Sequence, residues 1–273
     1  MNFIKMHGAG NDYIYFTQYK SLPENAEFIA KELSQRRFSV GSDGIVFLLP
    51  SDKADGKMIM FNSDGSRGMM CGNALRCVGK LIADKNPEKK CFTVETDSGM
   101  RNVRIDNKDS DEITIEIGKS VFETEKIPAI YNKKEILSEK IQFEDRVFTC
   151  TAVNVGNPHC VIPVDKIDDE MVLKYGMIIE NSSIFPEKAN VEFMEIVDRK
   201  KFKMRVWERG SGETFSCGTG AAACFAAGVK LGFFDNKVTS VLKGGDFENS
   251  IDKDGIIWQK GKVKKVFEAS LEY

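Results

Sequence analysis

Two cysteines occupy matching places in this chain. Cys71 closes the run NSDGSRGMMC and is followed by Gly-Asn, while Cys217 closes ERGSGETFSC and is followed by Gly-Thr. Displacing the chain on itself by 146 residues lays Cys71 on Cys217, Gly72 on Gly218, Asn62 on Glu208 and Asn11 on Asn157. Each cysteine therefore has a Gly-Asn turn 60 residues upstream. A helical pattern begins directly after each one. A thiol at a helix start meets unsatisfied backbone N–H groups and the positive end of the helix dipole, which favours the thiolate. The glycine that follows offers bare amides to an anion such as a carboxylate. Two such groups on opposite faces of one carbon have a definite use. One removes a proton while the other delivers one, and the centre inverts; thiols suit this exchange near neutral pH, one starting charged and the other neutral.

The remaining cysteines read differently. Cys77 and Cys224 lie inside the helical patterns, and Cys91, Cys150 and Cys160 lie in strand-like runs, so all five are read as small hydrophobes. With seven cysteines, two histidines and no Cys-x-x-Cys, neither a disulfide framework nor a structural zinc site is expected. No metal and no cofactor are called for. His7, in HGAGND, is read as part of a turn.

The elements that position the thiols follow from the hydrophobic pattern. Runs such as DYIYF, GIVFLL, KMIMFN, CFTVET, EITIEI, CTAVNV, CVIPV, VEFMEIV, KFKMRVWE, TSVLK and IIWQKGKVKKVFE read as strands. ENAEFIAKELSQ carries apolar residues at helical spacing, and GNALRCVGKLIADK after Cys71 places Ala74, Leu75, Val78, Leu81 and Ile82 on one face. Its counterpart, GTGAAACFAAGVKLG, is apolar almost all round, and such a helix must be enclosed by protein. The expected fold is α+β, with two pseudo-symmetric domains from an internal duplication, each a barrel-like mixed sheet around a central helix. A length of 273 residues suits two domains, and the pattern divides most naturally between Gly118 and Lys134.

Composition narrows the function classes. The 39 basic and 41 acidic residues are interspersed, without the basic stripe that nucleic acid requires. No run reaches the length of a membrane span, and the N-terminal MNFIKMHGAGND has no signal-like apolar region. A cytoplasmic enzyme acting on a small molecule is expected.

MHGAGNDY, FNSDGS, CGNALRC, GNPHC, NVEF, WERGSGET and CGTGA, in this order and spacing, run the length of the chain. Together they resemble the diaminopimelate epimerase family, pyridoxal-independent two-cysteine enzymes of lysine and cell-wall biosynthesis. The resemblance implies epimerisation of LL- to meso-diaminopimelate without a cofactor, in a cleft between two domains. It implies domains of 1–117 with 263–273, and 118–262, the last strand returning to the first domain. A homodimer is expected. Carried over by position, Cys71 and Cys217 are the base and acid pair. The amides of Gly72, Asn73, Gly218 and Thr219 hold the carboxylate at the reacting carbon, and Glu208 accepts from its ammonium. Asn62, Asn157, Asn190 and Arg209 grip the distal head, Asn11 lines the same cleft, and His159 lies near one thiol and helps set its protonation.

Two positions depart from the family pattern. Many members carry Gln where this chain has Gly44, so that contact must come from elsewhere, and Ala74 stands where glycine is usual. The alternatives are a racemase of another amino acid in the same superfamily, for which the distal clamp has no use, and a non-catalytic amino-acid-binding module, which needs no paired thiols. Thiol–disulfide exchange is disfavoured by the missing Cys-x-x-Cys.

Overall fold

A computed structural model describes residues 1–107 and 110–272; Lys108, Asp109 and Tyr273 lie outside the described residues. In chain order the elements begin with β1 (Asn2–Gly8), β2 (Asn11–Phe16), α1 (Ala26–Ser34), β3 (Gly44–Leu49), β4 (Gly56–Asn62), β5 (Arg67–Gly68) and α2 (Gly72–Lys85). β6 (Cys91–Thr96), β7 (Gly99–Arg104), β8 (Glu112–Lys119), β9 (Glu139–Phe143), β10 (Arg146–Asn154), β11 (Pro158–Val164) and α3 (Gly176–Glu180) follow. The chain closes with β12 (Asn190–Asp198), β13 (Lys201–Glu208), β14 (Gly212–Glu213), α4 (Gly218–Lys230), β15 (Lys237–Leu242), β16 (Gly245–Ile251) and β17 (Ile256–Ser270). Two compact units result, Met1–Glu116 with Lys260–Tyr273, and Ile117–Gln259.

In the first unit, among the described residues, eight strands close into a ring: β1 pairs with β2, β2 with β3, β3 with β4, β4 with β6, β6 with β7, β7 with β8, β8 with β17, and β17 with β1. The last strand thus completes the ring that the first begins. α2 packs on β1, β2, β4, β6 and β7, with Ala74, Leu75, Cys77 and Val78 fully buried. The strands alternate, as a pleat requires. Ile45, Phe47 and Leu49 of β3 join Ala26, Ile29, Ala30 and Leu33 of α1 in one cluster. On the opposite face, Leu48 and Ile82 of α2 meet at Gly56, where a Cβ would lie 2.7 Å from Leu48 Cδ1 and 3.2 Å from Ile82 Cδ1. Each such fully buried aliphatic side chain contributes about 1.5–3 kcal/mol.

The second unit repeats this plan. Across β10 to β16 the pairings run antiparallel, parallel, antiparallel, parallel, antiparallel, the order found across β1 to β7. The offset of 146 holds element by element: β3 begins at Gly44 and β12 at Asn190, α2 at Gly72 and α4 at Gly218, β6 at Cys91 and β15 at Lys237, β7 at Gly99 and β16 at Gly245. α4 packs on β10, β11, β12, β15 and β16 and buries Gly220 through Gly228. Alanine serves it twice, as the best helix former and as a side chain small enough for close approach of the strands. The outer face of this sheet carries a second cluster, in which Phe148, Cys150 and Phe193 pack with Val172, Tyr175 and Ile179.

All eleven runs read as strands coincide with strands, CTAVNV and TSVLK each passing one residue beyond, and α1, α2 and α4 occupy the three helical patterns. The short α3 and the π-helical turn Met171–Tyr175 before it were not expected. Neither were β1, β7, β9 and β16, nor the two-residue β5 and β14.

Candidate active site: two half-sites

Cys71 is the N-cap of α2, with extended backbone (φ −131°, ψ 124°), and its carbonyl accepts the first helical bond, from Leu75 N at 2.8 Å. Cys217 caps α4 in the same way (φ −121°, ψ 110°), its carbonyl accepting from Ala221 N at 3.0 Å. All seven cysteines are thiols.

In the first unit the Cys71 thiol donates to Asn11 Oδ1 at 3.3 Å. Asn11 is held in turn, since its Nδ2 donates to Asp43 Oδ2 at 2.8 Å, an oxygen that also accepts from Asp12 N at 3.0 Å. Arg36 Nη2 ties Asp43 Oδ1 (2.8 Å) to Asp12 Oδ1 (2.6 Å), and Lys5 pairs with the other oxygen of Asp12. Burial pushes the Asp12 carboxyl up, but Lys5 and Arg36 outweigh it and hold the group below its ordinary value. Tyr13 and Tyr15, buried beside the thiols of Cys71 and Cys77, are pushed well above the usual phenol range, first by burial and then by those neighbours. Asn73 and Gly72 are buried at the helix start, and Arg76 Nη2 donates to Asn73 Oδ1. Asn62, at the exposed end of β4, donates to Ser66 Oγ at 3.0 Å. His7 Nδ1 accepts from Gly10 N at 3.4 Å, across a turn in which Ala9 and Gly10 have positive φ.

In the second unit Cys217 Sγ accepts from Gly220 N at 3.3 Å and lies 3.4 Å from Thr219 Oγ1. The helix terminus favours the thiolate, yet the thiol is pushed well above its ordinary value. Burial is the first cause, and the carboxylates of Glu208 and Glu192 add to it. At Cys217 burial and the neighbouring acids thus oppose the helix terminus. Glu208 is itself pushed up, by burial first and then by Glu192, against a hydrogen bond from Thr214 Oγ1 to its Oε1.

Asn157 and His159 sit on either side of Pro158 where β11 begins. Asn157 Oδ1 faces His159 Nε2 at 2.8 Å, and His159 Nδ1 lies 2.7 Å from Glu192 Oε1. Both His159 and Glu192 are fully buried. Asn190 is held by backbone, its Nδ2 donating to Pro158 O at 2.9 Å and its Oδ1 accepting from Arg209 N at 3.0 Å. The Arg209 guanidinium is exposed and donates to Glu187 O at 3.3 Å. Each unit therefore gathers its own residues: Asn11, Asn62, Cys71, Gly72 and Asn73 in the first, and Asn157, His159, Asn190, Glu208, Arg209, Cys217, Gly218 and Thr219 in the second. Among the described residues no three His, Cys, Asp or Glu side chains are grouped to hold a metal ion.

Gly44 has a physical reason. A Cβ there would lie 2.1 Å from the Phe61 carbonyl oxygen and 3.1 Å from Asn62 Cα, so no longer side chain fits without parting β3 from β4. Sequence reasoning overlooked Glu192, Thr214, Asp43 and Tyr13. The signal for Glu192 was present, because an acid at a core position of the strand VEFMEIV must find a partner when the strand is buried.

The model of the family described as diaminopimelate epimerase matches residues 3–123 and 151–266. The diaminopimelate epimerase of Methanococcus maripaludis strain S2 is 43% identical, with all of both chains covered. That of Acetivibrio thermocellus is 41% identical, covering 100% of this chain and 99% of its own. Among solved structures, a Bacillus anthracis phenazine biosynthesis protein of the PhzF family aligns with a TM-score of 0.70 at 18% identity, over 100% of this chain and 99% of its own. A hydroxyproline epimerase from Agrobacterium vitis aligns with a TM-score of 0.69 at 14% identity, over 98% and 90% respectively. At such identities the likeness is one of fold. No helix among the described residues is long and apolar enough to cross a membrane.

Proposed function

This chain belongs to the diaminopimelate epimerase family and is an isomerase that epimerises diaminopimelate; on that premise we propose that Cys71 and Cys217 perform the inversion by two-base proton transfer, without a cofactor. One observation carries the reading: the two cysteines are N-caps of corresponding helices in two units built on one plan. In the proposal one thiolate takes the α-proton of the LL substrate while the other thiol donates to the opposite face, giving the meso product, and the roles exchange in reverse. The amides of Gly72, Asn73, Gly218 and Thr219 hold the carboxylate at that carbon, and Glu208 accepts from its ammonium. Asn62, Asn157, Asn190 and Arg209 grip the distal head, with Asn11 beside them. The high-lying Cys217 thiol suits the role of proton donor in the unliganded enzyme.

The protein is read as a cytoplasmic homodimer. Reduced thiols suit that compartment, and Val266 and Phe267 of β17, 52% and 44% exposed, suit a subunit contact; sedimentation at micromolar concentration tests the dimer. The test of the reaction is incubation with LL-diaminopimelate in deuterated water with no added cofactor. Meso product carrying deuterium at the inverted carbon is expected. Activity that vanishes on rigorous removal of pyridoxal phosphate or metal, and returns with either, refutes the proposal.

A further inference from the structure

Behind Cys217 lies a carboxylate to which the two-base reading gives no task. Glu192 is fully buried, its Oε1 is 2.7 Å from His159 Nδ1, and its Oε2 has no hydrogen-bond partner. It abuts the first turn of α4: a Cβ on Gly220 would lie 2.8 Å from Glu192 Oε1 and 3.3 Å from Cys217 Cβ, so that glycine opens the space in which carboxylate and thiol are neighbours. Glu192 faces His159 and Cys160 from β11, Glu208 from β13, and Cys217 and Cys224 from α4. Of these groups only His159 can carry positive charge.

The hydrogen bonds fix how many protons the pair holds. Asn157 presents its carbonyl oxygen to His159 Nε2, so Nε2 carries hydrogen. The contact from Nδ1 to Glu192 Oε1 then needs one proton more, on the ring or on the carboxyl, because two lone pairs do not approach to 2.7 Å. Either placement makes the pair neutral overall.

We propose that Glu192 is a positioning residue for Cys217: with His159 it stores one proton in the wall behind the thiol, and this cancelled charge is what allows Cys217 to ionise during turnover. The inference rests on the two-cysteine reading above. Remove the histidine and a bare buried carboxylate is left beside the thiol, opposing a second negative charge there. Remove the carboxylate as well and the opposition disappears. Damage by the first change and rescue by the second is a signature that loss of packing does not produce.

The test is alkylation of the substrate-free enzyme by iodoacetamide at pH 8, with the rate at Cys217 read by isotope-coded peptide mapping. His159→Gln, which keeps a donor toward Glu192, should slow Cys217 by roughly tenfold, and Glu192→Gln added to it should restore the rate to within about threefold. A double variant as slow as His159→Gln, or slower, overturns the proposal. Should His159→Gln not fold, nitrogen NMR of histidine-labelled wild-type enzyme decides, since the chain has two histidines and His7→Gln assigns them. His159 Nε2 should carry hydrogen, and a bare Nε2 overturns the proposal. Neither readout uses substrate, so failure of the epimerisation reading would appear in deuterium incorporation instead.

Discussion

Gly44→Ala adds one methyl group at the point where β3 is held between two neighbours. Gly44 pairs with Tyr13 of β2 on one side and Asn62 of β4 on the other. The new Cβ would stand 2.1 Å from the Phe61 carbonyl oxygen, 3.0 Å from Tyr13 Cε1 and 3.1 Å from Asn62 Cα. A carbonyl within a strand cannot swing aside as a lysine tip can, so the strands must separate at this register. Overpacking of this kind costs about 1–3 kcal/mol, and a backbone obstacle places it in the upper half, about 2–3 kcal/mol. At 1.4 kcal/mol per factor of ten, amide exchange limited by local opening of β3 and β4 should quicken about 30- to 140-fold. Hydrogen exchange read by mass spectrometry on peptides covering 44–49 and 56–62 measures this, with 190–208 as the internal reference. Tryptophan fluorescence is the wrong probe, because Trp207 and Trp258 both belong to the second unit. Since Asn62 is the neighbour displaced, KM for diaminopimelate should rise as well if Asn62 holds the distal head as proposed. Exchange within twofold of wild type in both peptides would falsify the argument, and with it the reason given for the absence of glutamine at this position.

The remaining expectations concern the half-sites. Cys71→Ala and Cys217→Ala should each lower epimerisation by orders of magnitude; the Cys→Ser variants should eliminate from β-halogenated analogues of opposite configuration, and a shared preference refutes one cysteine per face. If Arg209 grips the distal head as proposed, Arg209→Ala should cost several kcal/mol in kcat/KM, and near-native efficiency rejects that role. Glu208→Gln should trade activity for stability. Burial holds the folded carboxyl above its ordinary value, so its contribution to stability is present at low pH and is lost as pH rises through the raised value. The variant should therefore melt higher than wild type at pH 8, show little gain at pH 4, and lose most of its turnover. An unchanged melting temperature at pH 8 refutes the assigned burial cost.

The repeat made the architecture legible, because a duplicated chain displays each helix start twice and a coincidence of Cys-Gly at both is hard to produce otherwise. Strands with several apolar residues in a row were legible too. β7 was not, since of GMRNVR only Val103 is buried, and one apolar residue sets no period. The repeat also concealed something. At the offset of 146, His159 falls on Tyr13 and Glu192 falls on Val46, so the buried pair behind Cys217 has no counterpart in the first half. Its members are 33 residues apart and meet only because β11 and β12 run parallel, with His159 opposite Asn190 and Glu192 one side-chain step further on the same face. No local pattern encodes that register. The general rule for a thiol at a helix start is also opposed at Cys217, where burial first and Glu208 next push the thiol up. Copied halves would give two thiols of one character, and an inversion needs one to give while the other takes. The places where the copies have diverged, Tyr13 against His159 and Val46 against Glu192, therefore give the two thiols different neighbours, although the duplicated frame that holds them is the same.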